Sequence, residues 1–398
     1  MSSIEAAPAV GQTSIRARFP WFGVIGTYLA ITVLLSFMSA RSARAVPSEG
    51  ATGIAFVDGW LRFDSNWYVG IAENGYYYVP GQQSPIAFFP VFPMLVRAAA
   101  LVVGDTQLAG YLVASLAGLL ATVLAARWAW DRLPARSAML GVAVLLTYPY
   151  AFFLHGPAYS DGTYLALAVS AFLLLERRHY LLAGIVGAAA VASRPFGIAV
   201  AVGLVVRVLD QLATQPGRPV HLRDLLAAVR LVRPRHLGVL IAPLGLVAWM
   251  TWLWVEFGNP LAFVETQSSP GWNQGVGPHT WFKIPYFGAI WHGEWAIVLN
   301  LTVQALSCLA VVLLLPRVQR RFGWGYLAYT AIVIAIPIIG TKDFMGAGRY
   351  ALAAFPALLV SGDWLAQRPR WLQIATVTVL ALTLVTLAWC FTHMIQVA

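Results

Sequence analysis

The sequence predicts an all-α polytopic membrane protein, on three observations. Of its 398 residues, 59% are hydrophobic and 11% charged, more apolar surface than a soluble chain of this length can bury. The apolar residues come in repeated runs near the ~20 residues that carry a helix across a bilayer. Short arginine clusters separate the runs, the mark of cytoplasmic loops. The formal charge of +10 therefore reads as membrane topology and not as a nucleic-acid surface.

Residues 1–19 are polar and predict a disordered cytoplasmic N-terminus, with Arg16 and Arg18 beside the first span. That span, 20–39, lacks a small-residue cleavage site and reads as a retained anchor. Its positive flank places the loop 40–107 outside. Within the loop, 90–103 is apolar but short, carries Arg97 and opens on two prolines, which predicts a helix lying in the interface. Spans two to four cover 108–126, 138–154 and 162–175, with Arg127, Arg132 and Arg136, then Arg177 and Arg178, inside. Residues 181–206 are apolar on both sides of Ser193-Arg194-Pro195. Two short segments turning there keep the arginine-rich 207–236 inside, and Pro195 favours a break. Half-spans of this kind need protein or a wet cavity against their exposed backbone.

Span seven is 237–255, followed by an outer loop, 256–293, rich in Trp, Gly, Pro and His. Spans eight to eleven are 294–315, 323–340, 351–366 and 371–390. They are separated in turn by Arg317, Arg320 and Arg321, by the outer loop 341–350, and by Arg368 and Arg370. The tail 391–398 lies outside. The chain thus reads as one plasma-membrane domain over 20–390, with about eleven segments and three extracytoplasmic loops.

Cys308 and Cys390 both sit in apolar runs, so neither a disulfide framework nor a thiolate metal site is predicted. His155, His279 and His292 lack metal-ligand spacing and no Asp-x-Asp pair occurs; no metal and no cofactor is predicted. Four polar patches converge on the outer face: Asp64 with its aromatics, Tyr159-Ser160-Asp161, the 256–293 loop, and Lys342-Asp343 with Arg349. Arg194 joins them from the turn. A carboxylate, cations and flat aromatics at an outer membrane face suit a lipid-linked phosphosugar, since nucleotide sugars stay in the cytoplasm.

Asp64 is the candidate base, a role worth about 10²–10⁴ in rate; the alternative is an N-cap. Asp161 and Glu73 are secondary acids, and Asp161 can equally cap span four. Arg349, Arg194 and Lys342 are candidates for phosphate, since arginine at a membrane edge is costly unless it binds an anion or snorkels. Lys342 can alternatively pair with Asp343. Trp67, Tyr68, Tyr76, Tyr159, Ser160, Gln83, Glu265 and His279 are the candidate sugar- and acceptor-binding residues.

These residues resemble a known family. Phe63-Asp64-Ser65-x-Trp67-Tyr68, Ile71-Ala72-Glu73-x-Gly75-Tyr76 and Ala87-Phe88-Phe89-Pro90-x-Phe92-Pro93 are similar to the first outer loop of the PIG-V mannosyltransferases, members of the GT-C glycosyltransferases. Ala158-Tyr159-Ser160-Asp161, Ser193-Arg194-Pro195-x-Gly197, Gly348-Arg349-Tyr350 and Phe355-Pro356 resemble later family motifs. The resemblance implies a GT-C bundle with interfacial helices and an outward active site. It also implies a polyprenyl- or dolichyl-phosphate-mannose donor and an inverting transfer with Asp64 as base. Phe63 stands where the family commonly has Trp, Gln83 where an acid is common, and Asp161 where Glu is usual. The expected acceptor is a glycolipid, lipoglycan or protein. Two other readings stay open: a lipid-linked-sugar flippase, and a non-catalytic protein that binds such lipids.

Overall fold

The structure is a computed structural model that describes residues 18–47, 51–275 and 277–397. The expected N-terminal segment lies outside the described residues up to residue 17. The described chain is helical throughout, with no β-strand. The principal helices are α1 (Trp21–Ala45), α2 (Asp64–Asn74), α3 (Val91–Val103), α4 (Thr106–Arg132), α5 (Ala135–Thr147), α6 (Asp161–Glu176) and α7 (Tyr180–Val191). They continue as α8 (Ile198–Ala213), α9 (Leu244–Phe257), α10 (Trp295–Phe322), α11 (Trp324–Gly340), α12 (Ala347–Ala353), α13 (Phe355–Ala366) and α14 (Arg370–Thr392).

Five helices are long and apolar enough to cross a membrane, or six if the pair Pro234–Ile241 and α9, bent by 42°, is one span. The remaining segments expected as spans are shorter helices. Helices α6 and α13 are apolar on nearly every side and buried on nearly every side, as a helix at the centre of a bundle must be. Their close approach to neighbours depends on glycine. A Cβ on Gly162 of α6 would stand 2.8 Å from the Gly118 nitrogen of α4, and one on Gly362 of α13 would stand 2.2 Å from the Gly141 nitrogen of α5. Small residues at such crossings let helix backbones touch where no hydrophobic drive separates protein from lipid.

Prolines set the breaks. The chain leaves α7 at Ala192, runs extended through Arg194 and turns at Pro195 into α8, so the break expected within 181–206 is present. The second segment, however, is not a half-span, since the helix continues past 206 and Pro195–Ala213 is long and apolar enough to cross a membrane. Span three is a correction. It was expected over 138–154, but α5 stops at Thr147 and a separate 3-10 turn follows over Ala151–Leu154. Pro149 forces Tyr148 out of the helical region, to φ −54° and ψ 136°.

The expected interfacial helix is α3. It exposes Leu101 and Val102 and lays the Arg97 side chain against the end of α2, where Nε donates to the Ala72 carbonyl (2.7 Å) and Nη2 to the Ile71 carbonyl (3.0 Å). Those are carbonyls of the last turn of α2, where acceptors run short of intrahelical donors; the Ile71 carbonyl also accepts the Gly75 N–H at 3.0 Å. The cation also complements that helix's negative end.

Polar side chains gather at two poles. At one, Glu176 accepts hydrogen bonds from Arg207 Nε (2.8 Å), Tyr326 Oη (2.9 Å) and Gln211 Nε2 (3.2 Å), while Arg321 pairs with Asp363 at 2.8 Å. The other pole contains Asp161. Both poles lie on α6, whose 16 residues set them roughly 22 Å apart at 1.5 Å per residue.

Candidate active site

At Phe63 the backbone enters the left-handed half of conformational space (φ +51°), a strain of about 1–3 kcal/mol for a bulky residue. The chain then turns directly into α2, so Asp64 is its first helical residue and Phe63 occupies the capping position without a side-chain cap. The capping alternative for Asp64 is thereby corrected. Its backbone N–H, an orphan of the first turn, donates to Tyr159 Oη at 2.9 Å. The tyrosine hydroxyl in turn faces the Arg62 carbonyl at 3.4 Å. The Asp64 carboxylate is left free to meet Arg349, Nη1 to Oδ2 at 3.0 Å. The guanidinium lies over the rings of Tyr159 (4.9 Å) and Phe153 (5.4 Å).

A second pair stands behind the first. Arg194 Nη1 donates to Asp161 Oδ1, with the guanidinium over Phe196 (4.9 Å) and Tyr350 (5.4 Å). Asp161 is also the first residue of its helix, and Ser160 before it makes no cap; its Oγ is 2.8 Å from Tyr68 Oη. The two carboxylates differ in access: the Asp64 side chain is 29% exposed and that of Asp161 3%. Only Asp64 is open to a substrate. Asp161 Oδ2 and Arg349 Nε are buried without a hydrogen-bond partner among the described residues, a condition rare enough in folded proteins to mark a site. Burial pushes Tyr68 up to about 12 and Tyr159 well above its ordinary value. Both phenols stay neutral at physiological pH, so the acidic groups here are the two carboxylates.

The other expected site residues divide. Trp67 lies one turn along α2 from Asp64, stacked on Phe88 (5.8 Å, 21°) and met edge-on by Trp272 (6.0 Å). Tyr76 packs instead against Trp249 and Trp252, with its hydroxyl on the Phe88 carbonyl. Glu73 is exposed toward the far end of α2. Gln83 Nε2 donates to the Pro270 carbonyl, and Glu265 accepts from Tyr78 Oη at 2.9 Å. His279 is exposed in a short helix, Pro278–Trp281. Lys342 and Asp343 do not pair: Asp343 Oδ1 accepts from the Met345 N–H, and the Lys342 N–H donates to Gln274.

Sequence reasoning did not assign Phe153, Tyr350, Phe88 or Trp272 to the site. Tyr350 and Phe88 lie inside quoted motifs, but Trp272 sits in a loop whose aromatic excess also fits an interfacial belt. Among the described residues no group of three or more His, Cys, Asp and Glu is placed to hold a metal ion.

No protein-family model matches the chain, and no curated protein does. Solved structures do. The crystal structure of ArnT from Cupriavidus metallidurans bound to undecaprenyl phosphate is similar at 16% identity and a TM-score of 0.54, covering 91% of this chain and 64% of its own. The apo structure of the same protein gives 16% identity and a TM-score of 0.52 over the same shares. The apo Archaeoglobus fulgidus oligosaccharyltransferase gives 14% and 0.47, over 93% of this chain and 56% of its own. The chain therefore spans a little under two-thirds of the length of the ArnT structures. At these identities the likeness speaks for architecture alone: this chain shares the helical architecture of the ArnT structures.

Proposed function

We propose that the protein is a glycosyltransferase that uses a polyprenyl-phosphate sugar at the outer face of the membrane, with Asp64 as general base. The observation that carries this reading is the asymmetry of Asp64. Arg349 holds Oδ2, while Oδ1 takes no hydrogen bond from the described residues and the side chain is partly open. In the proposed reaction Oδ1 accepts the proton of an acceptor hydroxyl. The hydroxyl oxygen bonds to the anomeric carbon as the carbon–oxygen bond to phosphate breaks, with inversion, and the electron pair leaves on polyprenyl phosphate. Arg349 and Lys342 are the cations we assign to that phosphate. Arg194, expected there as well, is committed to Asp161, so we give it the task of holding the second carboxylate in place.

Two features support a lipid-linked donor. One structural neighbour was solved with undecaprenyl phosphate bound. An apolar crevice of about 660 Å³, walled by Tyr76, Met94, Arg97, Ala192, Leu244 and Trp252, approaches the site to within two residues of Arg194. We assign it to the prenyl tail. A smaller crevice of about 360 Å³, between Val144, Leu306, Leu358 and Leu380, touches none of the site residues. Mannose as the donor sugar, and membership of the PIG-V mannosyltransferases, rest on the first-loop motif. The outer-face assignment rests on the arginine distribution.

The test is transfer from labelled polyprenyl-phosphate-mannose to membrane glycolipids by purified protein in proteoliposomes. Wild type labels an acceptor, and Asp64→Asn slows transfer by about 10²–10⁴-fold. Full transfer by Asp64→Asn removes Asp64 from the mechanism. Translocation of the lipid-linked sugar in vesicles that lack an acceptor, with no transfer, favours a flippase.

A further inference from the structure

The second outer loop is tied down at both ends of the candidate site. Thr266 Oγ1 donates to the Gln82 carbonyl (3.0 Å) and Gln83 Nε2 donates to the Pro270 carbonyl (3.3 Å), which fixes one end to the loop that carries Asp64. The Gly275 N–H donates to the Gly340 carbonyl (3.0 Å) and the Lys342 N–H to Gln274 Oε1 (3.1 Å), which fixes the other end to the loop that carries Arg349. Midway between the two anchors stands Trp272. Its neighbours Gly271 (φ +95°) and Asn273 (φ +48°) both hold left-handed backbone, the second at a steric cost. That turn sets the Trp272 indole against Trp67 and Phe88, with centroids 6.0 Å from each.

Trp67 is three residues from Asp64 on α2, a spacing that puts the two side chains on adjoining parts of one helix face. Both indoles remain partly exposed. A strained turn that delivers a large ring without burying it is not building a core. It produces an apolar corner of two indoles inclined at 60° to each other, one helical turn from an accessible carboxylate.

We propose that Trp272 is an acceptor-binding residue and that the acceptor group is a sugar ring. The inference rests on the transferase reading of Asp64 and names its acceptor class. A pyranose has a face of C–H bonds and a rim of hydroxyls. The C–H face stacks on the Trp272 indole, with Trp67 closing the corner at 60° to it, and the rim then brings one hydroxyl to Asp64 Oδ1. A serine or threonine side chain, or a lipid alcohol, has no flat apolar face to match this surface.

The experiment reads binding without turnover, so that its failure is separable from a failure of the transferase reading. Full-length protein in nanodiscs is probed by saturation-transfer NMR with n-octyl α-D-mannoside, n-octyl β-D-glucoside and octylglycerol. Saturation is expected on sugar ring protons in wild type, Asp64→Asn and Trp272→Phe, and not on the glycerol protons. In Trp272→Ala, and in Trp272→Leu, which keeps bulk without a ring face, affinity for the glycosides falls roughly tenfold. Wild-type affinity in both variants, or equal saturation of octylglycerol, overturns the proposal. Trp272-dependent glycoside binding in a protein that transfers nothing upholds this subsite and removes only the transferase reading.

Discussion

Arg349 brings its Nη1 to 3.0 Å from Asp64 Oδ2 across 285 positions of sequence. The contact joins the segment 40–107 to the segment 341–350 and determines which oxygen of Asp64 is left without a partner among the described residues. Two properties of Arg349 are engaged at once, its charge and its planar face, which lies over the Tyr159 and Phe153 rings. Arg349→Ala is therefore expected to lower kcat by about 10²–10³-fold, the scale for removing one preorganised donor from a reacting centre. Arg349→Lys keeps the charge and loses the planar face, and is expected to fall between Ala and wild type. Transfer assays at saturating donor check this. Wild-type kcat in Arg349→Ala would dissolve the link between the pair and catalysis.

The Asp161–Arg194 pair predicts differently, because both side chains are at least 95% buried. Removing one partner leaves the other charged and uncompensated, which costs about 3–5 kcal/mol in buried pairs. Asp161→Leu and Arg194→Met should each lower unfolding stability in nanodiscs on that scale. The double variant should recover most of the loss, since a well-packed apolar replacement of a buried pair is often neutral. If Arg194 instead served the donor phosphate, the double variant would be stable and still lose donor affinity.

How far these arrangements could be read in advance depended on whether the signal was local. The break at Pro195 and the short helix with Arg97 were legible, because proline geometry and a short, arginine-bearing apolar run are local properties. The sequence also contained Pro149, which ends α5 early; hydropathy carried the expected span past it. The N-cap question at Asp64 could not be decided from residues. A helix beginning with Asp looks the same one position either way, and the choice is made by the positive φ of Phe63. Pairing Asp64 with Arg349, and Asp161 with Arg194, requires knowing which helix ends meet, which charge counting resolves only to a side of the membrane.

Tyr159 tests how Asp64 is positioned. Its hydroxyl accepts the Asp64 N–H and faces the Arg62 carbonyl, standing in for the cap that Phe63 cannot provide. Tyr159→Phe keeps the ring under Arg349 and deletes only the hydroxyl. Stability should fall by about 1 kcal/mol, the worth of a lost cap or neutral hydrogen bond. In transfer kinetics kcat should fall with little change in the acceptor KM, since the variant touches the placement of the proposed base and not the proposed sugar platform. A change confined to KM would contradict this positioning role.

Lys283 gives a pH signature to the far anchor of the second outer loop. Buried at 6% exposure, its Nζ donates to the Thr341 carbonyl, lies 3.3 Å from Thr341 Oγ1 and stands 4.6 Å from the Phe344 ring centre. Burial pushes its pKa from an ordinary 10.5 down to about 8, with Cys308 and Asp343 opposing the shift. Between those values the unfolded chain binds the proton and the folded chain does not, so this group makes stability rise with pH. The penalty for a buried ammonium is fully present below pH 8 and is relieved as pH climbs from 8 toward 10.5. Lys283→Met removes that dependence together with the hydrogen bonds to Thr341. The melting temperature of wild type relative to Lys283→Met, measured in nanodiscs, should therefore shift in favour of wild type from pH 8 to pH 10. A difference that stays flat over that interval would mean that Lys283 keeps its ordinary titration in the folded protein and that the anchor is more open to water than its burial implies.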